Sequence, residues 1–261
     1  MRTLHRLVTA EIIKSKNSFA VWLSLFGTLG NTIIFFLINW FDLGPQQFGN
    51  GETDWVVFIL NHFEGIAFMM LPLYVIILAT LITFMEHRSG TWALIMTLPE
   101  QRAMVYLSKF IFGLLLFVAA HVLFVVSLFG SGLLMSLIHP DYSMPLWDFP
   151  LWLVIKLAAK TILSVFALLA LHCWISLRFN HFIVPLTIGI LGFVFTSILS
   201  PAFPYQWINP YAYPICYMPF HNGAITLPAW GFWRLHDGMS LAWGFVFIFL
   251  GMRTAQNMTF N

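Results

Sequence analysis

The chain has 261 residues, of which 60% are hydrophobic and only 8% are charged. Soluble domains carry roughly 25% charged residues, so this composition excludes a soluble globular protein and predicts an integral membrane protein. The net charge of +2 is too small to indicate a nucleic-acid partner. The only two cysteines, Cys173 and Cys216, are far apart in the sequence and predict no disulfide framework.

Residues 1–18 form the first predicted unit, an interfacial helix that lies on the membrane surface. Leu4, Leu7, Val8 and Ile12 recur at helical spacing, while the basic side chains take other faces. This pattern is typical of a helix that buries one face among lipid headgroups. The alternative is a plain basic flank to the first membrane span.

Six apolar stretches follow, and each is predicted to cross the membrane as a helix. They cover about residues 19–40, 65–85, 105–137, 151–175, 182–199 and 239–252. Residues 55–61 are either a short outer helix or the mouth of the second span. The third stretch exceeds the roughly 20 residues that a bilayer needs, and Gly130, Ser131 and Gly132 are a candidate break in it.

The loops differ in charge on the two sides of these spans. An even number of spans places both termini on one side, and nine of the twelve Lys and Arg residues then fall on that side, against Arg234 alone in the opposite loops. The positive-inside rule therefore predicts cytoplasmic termini. We expect the membrane to be a bacterial inner membrane. Residues 201–237, rich in proline and aromatic side chains, are predicted to form short re-entrant helices on the outer side before the last span.

In the first half of the chain, the stretch with the most charged residues outside the N-terminus is the loop between the second and third spans, residues 86–104. Gly90 suits a tight turn and Thr91 suits a helix N-cap, whereas Pro99 ends a helix. We therefore expect a short surface helix whose apolar face docks on a partner, with flanking charges that set its register. The residues proposed to make this contact are Glu86, Arg88, Gly90, Thr91, Trp92, Leu94, Leu98, Pro99 and Arg102.

The segment EHRSGTWALIMTLPEQR, followed by Lys109, resembles the loop after the second span of ABC type-2 transporter permeases. The opening AEIIKSKNS is similar to the start of permeases of the lantibiotic self-protection type. The aromatic Asn-Pro segment WINPY before the last span extends the likeness along the chain. The resemblance thus rests on three separate parts of the sequence.

This resemblance implies an all-α ABC type-2 exporter fold, with an N-terminal connecting helix (residues 1–18), a transmembrane domain (residues 19–261) and a cytoplasmic coupling helix. It also implies two permeases, identical or homologous, and two ABC ATPase subunits that bind ATP and Mg. No Walker A pattern is present in this chain, so no catalytic residue and no cofactor are assigned to it. The connecting-helix residues assigned are Arg6, Glu11 and Lys14.

Three ionisable residues lie at membrane depth or near the outer mouth of a span: Glu64, Lys156 and Lys160. Such groups usually face the bundle interior or a watery cavity. Each lysine has two open interpretations, a structural pairing with Glu64, Asp148 or Asp237, or contact with substrate or lipid headgroups. No histidine spacing indicates a metal site.

The expected function is export of an amphipathic or lipid-like substrate, such as an antimicrobial peptide or a drug, as in antibiotic resistance or lantibiotic immunity. One alternative is an ion- or proton-coupled secondary transporter, which would need buried acids along its path. Another is a membrane sensor or assembly subunit that does not transport.

Overall fold

The structure is a computed structural model of the chain. It describes residues 2–41, 54–89, 102–138, 142, 144–179, 181–199, 206–218, 220–221, 224–225 and 233–258.

Helices dominate the described residues. In chain order they are α1 Arg2–Ser15, α2 Phe19–Trp40, α3 Asp54–Gly65, α4 Leu71–Ser89, α5 Arg102–Ile138, α6 Leu151–Arg178, α7 Ile183–Leu199, α8 Tyr213–Cys216 and α9 Leu235–Asn257. Two single 3₁₀ turns, Leu146–Asp148 and Gln206–Ile208, precede α6 and α8. A two-residue antiparallel hairpin pairs Phe220–His221 with Ala224–Ile225. The all-α class predicted from the sequence is confirmed.

Five helical stretches are long and apolar enough to cross a membrane. They are α2, the continuous stretch through α3 and α4, α5, α6 and α9. The predicted fifth span corresponds to α7, which has 17 residues and so lies at the lower end of the length that crosses the hydrocarbon core. The chain is a multi-pass membrane protein, and the count of six spans stays a prediction.

A short polar turn separates α1 from α2. The backbone N–H of Ser18 donates to the carbonyl of Ser15 at 2.9 Å, and Ser18 itself has an extended backbone before α2 begins. Helix α1 is therefore distinct from the first span, and its role as a connecting helix stays a prediction.

Residues 55–61 belong to the second span rather than to a separate outer helix. The helix continues from α3 through a π-helical segment, Ile66–Met70, into α4. Pro72 is the second residue of α4, and it has no backbone N–H to donate the hydrogen bond of a regular helix. The π segment just before it gives the backbone the extra room that such a proline requires.

The predicted break at Gly130–Gly132 is wrong, because α5 runs unbroken for 37 residues. Of these residues, Gly132 serves packing instead. A Cβ atom at Gly132 would lie 2.4 Å from the ring of Trp55, so only glycine lets the indole of α3 approach this closely.

The buried core lies where α6 packs against α4 and α9, with α5 closing one side. Large residues of α3, such as Trp55, Phe58 and Phe63, fill the end of this core away from α1. In contrast, α2 exposes much of its apolar surface. The core thereby fixes the ends of α4 and α5, where the charged residues gather.

Candidate functional site

Four charged side chains form one compact cluster at the α1 end of the bundle. Lys109 Nζ lies 2.9 Å from a carboxylate oxygen of Glu11 and 2.9 Å from one of Glu86. Lys14 Nζ lies 2.8 Å from the other oxygen of Glu11 and also contacts Glu86. We call these four residues, Glu11, Lys14, Glu86 and Lys109, the ionic cluster.

The ionic cluster joins three helices. Glu11 and Lys14 are three residues apart on α1 and so share a face, Glu86 lies in the last turn of α4, and Lys109 lies in the second turn of α5. The two helices that flank the predicted loop of residues 86–104 are therefore both joined to α1 by ion pairs.

Burial makes these contacts strong. The side chains of Lys109 and Glu86 are only 2% and 3% exposed, and that of Glu11 is 9% exposed. Two cations balance two carboxylates, as charges removed from water require. Burial by itself lowers the pKa of Lys14, but the attraction of Glu11 and then Glu86 outweighs this and raises the pKa above its usual 10.5.

Arg102, the first residue of α5, connects the same region to the end of the chain. Its Nη1 atom donates a hydrogen bond of 2.8 Å to the backbone carbonyl of Met258, which directly follows α9. This end of α5 is therefore in contact with the end of α9 as well as with α1.

The structure brings together some of the predicted coupling residues and leaves others undescribed. Glu86, Arg102, Glu11 and Lys14 lie as given above, whereas Arg6 is exposed on α1. The remaining predicted positions lie outside the residues, or the side chains, that the structure describes: Arg88, Gly90, Thr91, Trp92, Leu94, Leu98 and Pro99.

Lys109 is the member of the ionic cluster that sequence reasoning undervalued. It enters the prediction only as part of the family motif, not as the partner of Glu11 and Glu86. The available signal was a lysine within an otherwise apolar helical turn, since such a residue needs a buried anion.

A second buried ion pair links α6 to the start of α9. Lys160 Nζ lies 2.7 Å from Asp237 Oδ2, and these side chains are 2% and 0% exposed. The same oxygen accepts a 2.8 Å hydrogen bond from the backbone N–H of Arg234, which fixes the first turn of α9. Of the three carboxylates considered for Lys160, Asp237 is the one in contact, and this favours the structural interpretation.

Glu64 lies at the opposite end of the bundle from the ionic cluster, in the wall of a cavity of about 490 Å³. Its walls combine apolar side chains of α2 and the π segment with polar groups that include Asn61, Gln206 and Arg234. This volume lies within the roughly 300–1,000 Å³ typical of small-molecule sites. Lys156 does not line this cavity and is only partly buried on α6.

Among the residues that the structure describes, no three His, Cys, Asp or Glu side chains converge as metal ligands would. The features that stand out among the described residues are charged side chains placed at helix ends. They define a polytopic membrane protein whose N-terminal helix is joined ionically to the ends of an intervening loop.

The family comparison agrees with this class of protein. A model of the ABC-2 family transporter proteins matches residues 7–196, which is well over half of the chain. The chain belongs to the ABC-2 transporter family and is the permease of an ABC transporter. A search of the curated proteins finds no match to it. Permeases of this family are membrane subunits, typically not catalytic themselves, and the family implies ABC ATPase components as partners.

Proposed function

We propose that this chain is the membrane subunit of an ATP-driven exporter, in which separate ATPase subunits bind ATP and Mg and drive the permease. The observation that carries the proposal is the ionic cluster, which joins α1 to both helices flanking residues 90–101. A motor that pushes on either α1 or this loop would move the ends of α4 and α5 together. The proposed stoichiometry is two ATPases with two permeases, identical or homologous.

The proposed step is mechanical. When the ATPase subunits close on ATP, they press on α1 and on the loop, which both lie on the cytoplasmic side in this proposal. Lys109 contacts Glu11 and Glu86 at the same time. If α1 and α4 separated, a buried charge would therefore lose its partner, which is costly. The displacement is therefore passed to α5 rather than absorbed in the loop.

The first test is to purify the tagged permease in mild detergent and to measure ATPase activity in the complex. We expect an ATPase subunit to copurify, and a Glu86→Ala, Arg102→Ala double variant to hydrolyse ATP while its transport falls at least tenfold. Lys16→Met is the matched control, since Lys16 is exposed near the end of α1. Purification without an ATPase, or full transport by the double variant, would contradict the proposal.

For the cargo, we propose an amphipathic molecule, such as a membrane-active peptide or a drug, that contacts the Glu64 cavity. The cavity wall holds one carboxylate, Glu64, and one guanidinium, Arg234, among apolar side chains. In this proposal the Glu64 carboxylate pairs with a positively charged group of the ligand, and the apolar side chains contact its apolar body. Glu64→Gln should weaken transport of a cationic amphipathic peptide about tenfold more than that of a neutral analogue. Asp148→Asn is the control, because Asp148 is exposed outside the cavity. Equal loss for both substrates would argue against charge recognition.

The alternatives predict different dependence on energy. A proton- or ion-coupled carrier would lose transport when an ionophore dissipates the membrane gradient, even with ATP present. The buried acids Glu11, Glu86 and Asp237 each contact a lysine, which favours a structural role over proton transfer. Transport into sealed vesicles that continues with ATP and an ionophore would separate the two mechanisms.

A further inference from the structure

A second cavity, of about 290 Å³, lies between α2, α4 and α5, and it shares no described lining residue with the Glu64 cavity. It is lined at mid-helix by apolar side chains such as Leu23, Ile77 and Phe117. No Asp, Glu, Lys or Arg is found among its described lining residues. We refer to it as the α2 groove.

Two polar side chains in the α2 groove each have one atom without a hydrogen-bond partner among the described residues. These atoms are the side-chain amide nitrogen of Asn31 and Nε2 of His121, and both are buried. Both residues line the groove, and they are only 8% and 5% exposed. Native proteins pair nearly all such groups, because an unsatisfied buried polar atom costs roughly 1–3 kcal/mol.

The other hydroxyl groups in this wall are satisfied. Thr28 donates a 2.6 Å hydrogen bond to the carbonyl of Ser24, and the hydroxyl of Tyr74 is 2.7 Å from that of Ser24. The unsatisfied groups are thus specific to Asn31 and His121, not a general feature of this surface. An external molecule that fills the groove is the simplest source of their missing partners.

The helix backbone also leaves room for such a molecule. Gly27 lines the groove, and a Cβ atom placed on it would meet nothing within 4 Å. Glycine in a helix interior costs roughly 1 kcal/mol relative to alanine, so it is expected where space is needed. Gly27 therefore leaves free space in the same cavity that Asn31 and His121 line.

We propose that the α2 groove binds a neutral amphiphile, specifically an acylglycerol-type lipid with hydroxyl and ester oxygens. The Asn31 amide donates to one oxygen, and His121 Nε2 donates or accepts according to its tautomer. A charged headgroup is disfavoured because the groove offers no counter-charge, and an unpaired charge in this apolar setting is costly. The acyl chain lies against the apolar walls. This binding does not depend on whether the lipid is the exported cargo.

The test uses the full chain in lipid nanodiscs with a monoacylglycerol that carries a diazirine on its acyl chain. Crosslinks are mapped to peptides of α2 and α5 by mass spectrometry. Asn31→Leu and His121→Phe should each lower labelling about fivefold, the order expected for losing one hydrogen bond. Both variants should unfold at the same temperature as the wild type or higher, because each removes an unsatisfied buried group.

Two matched controls separate recognition from damage to the fold. Gly27→Leu should abolish labelling by filling the groove, whereas Gly30→Leu should not, since Gly30 has the same open surroundings but lies outside the groove. His62→Phe removes another unpaired histidine nitrogen that does not line the groove, and it should leave labelling unchanged.

A diazirine hydrocarbon without a headgroup completes the design. It should label more weakly than the monoacylglycerol and respond to Gly27→Leu but not to Asn31→Leu or His121→Phe. The proposal would be overturned if the monoacylglycerol labelled Asn31→Leu and His121→Phe to the same extent as the wild type. Equal loss in Gly27→Leu and Gly30→Leu would overturn it as well.

Discussion

Replacing Lys109 with methionine tests the ionic cluster most directly. The substitution keeps the apolar stem but removes the cation that contacts Glu11 and Glu86 at 2.9 Å each. Within the ionic cluster, those two carboxylates then keep Lys14 as their shared cation, and its side chain is 37% exposed. Removing one partner of a buried ion pair costs about 3–5 kcal/mol, so we expect a loss of unfolding free energy in this range.

A second substitution shows whether the loss comes from charge imbalance. In the Lys109→Met, Glu86→Gln double variant, one cation again balances one carboxylate, because Glu11 and Lys14 remain as a pair. The double variant should therefore be more stable than the sum of the single effects predicts, by about 0.5–3 kcal/mol of coupling. The control Lys16→Met should stay within about 0.5 kcal/mol of the wild type.

Reversible unfolding in mixed micelles of mild detergent and dodecyl sulfate measures these free energies, with helix content followed by circular dichroism. Strict additivity of Lys109→Met and Glu86→Gln would refute the reasoning, since it would mean that the two side chains do not sense each other. A Lys109→Met protein as stable as Lys16→Met would refute it too.

The remaining predictions concern packing and the second ion pair, and the same unfolding assay measures both. Gly132→Ala should cost about 1–3 kcal/mol because the new Cβ meets the Trp55 ring, whereas Gly130→Ala, with nothing within 4 Å, should gain up to about 1 kcal/mol of helix propensity; equal effects at the two glycines would contradict the packing argument. Lys160→Met should cost about 3–5 kcal/mol by leaving the buried Asp237 carboxylate without its cation, and adding Asp237→Asn should recover part of that loss. A Lys160→Met variant that unfolds like the wild type would contradict the structural role of this pair.

Much of the fold is predictable because lipid demands long apolar helices. The first span, residues 19–40, is confirmed as α2 with the same bounds, since polar residues flank a continuous apolar run. The length of α5 was harder to predict, because glycines such as Gly130 and Gly132 would suggest a helix break in a soluble protein. Within a packed membrane bundle, glycine instead permits close contact between helices, and the helix continues.

The candidate sites were less predictable because they depend on distant pairings. Glu11 and Lys109 are 98 residues apart, and no local pattern relates them. For Lys160, burial and charge predicted an anionic partner, but only the packing of α6 against α9 selects Asp237 from the three candidates. The unsatisfied atoms of Asn31 and His121 have no signature in the sequence at all, since a histidine in an apolar helix is usually satisfied within the core.

In the proposed exporter, the position of the ionic cluster along α5 would let a push at one end of the molecule reach the other. A 37-residue helix is about 55 Å long, more than the thickness of the hydrocarbon core. Lys109 lies near its first turn, and Gly132 lies near its far end, against Trp55 of α3. Because α5 is continuous between these points, a displacement of Lys109 moves the Gly132 contact with little loss to bending. In the proposed exporter, the unbroken helix is thus as necessary as the charges, since a break at Gly130 would disconnect the ionic cluster from the end of the bundle that holds the Glu64 cavity.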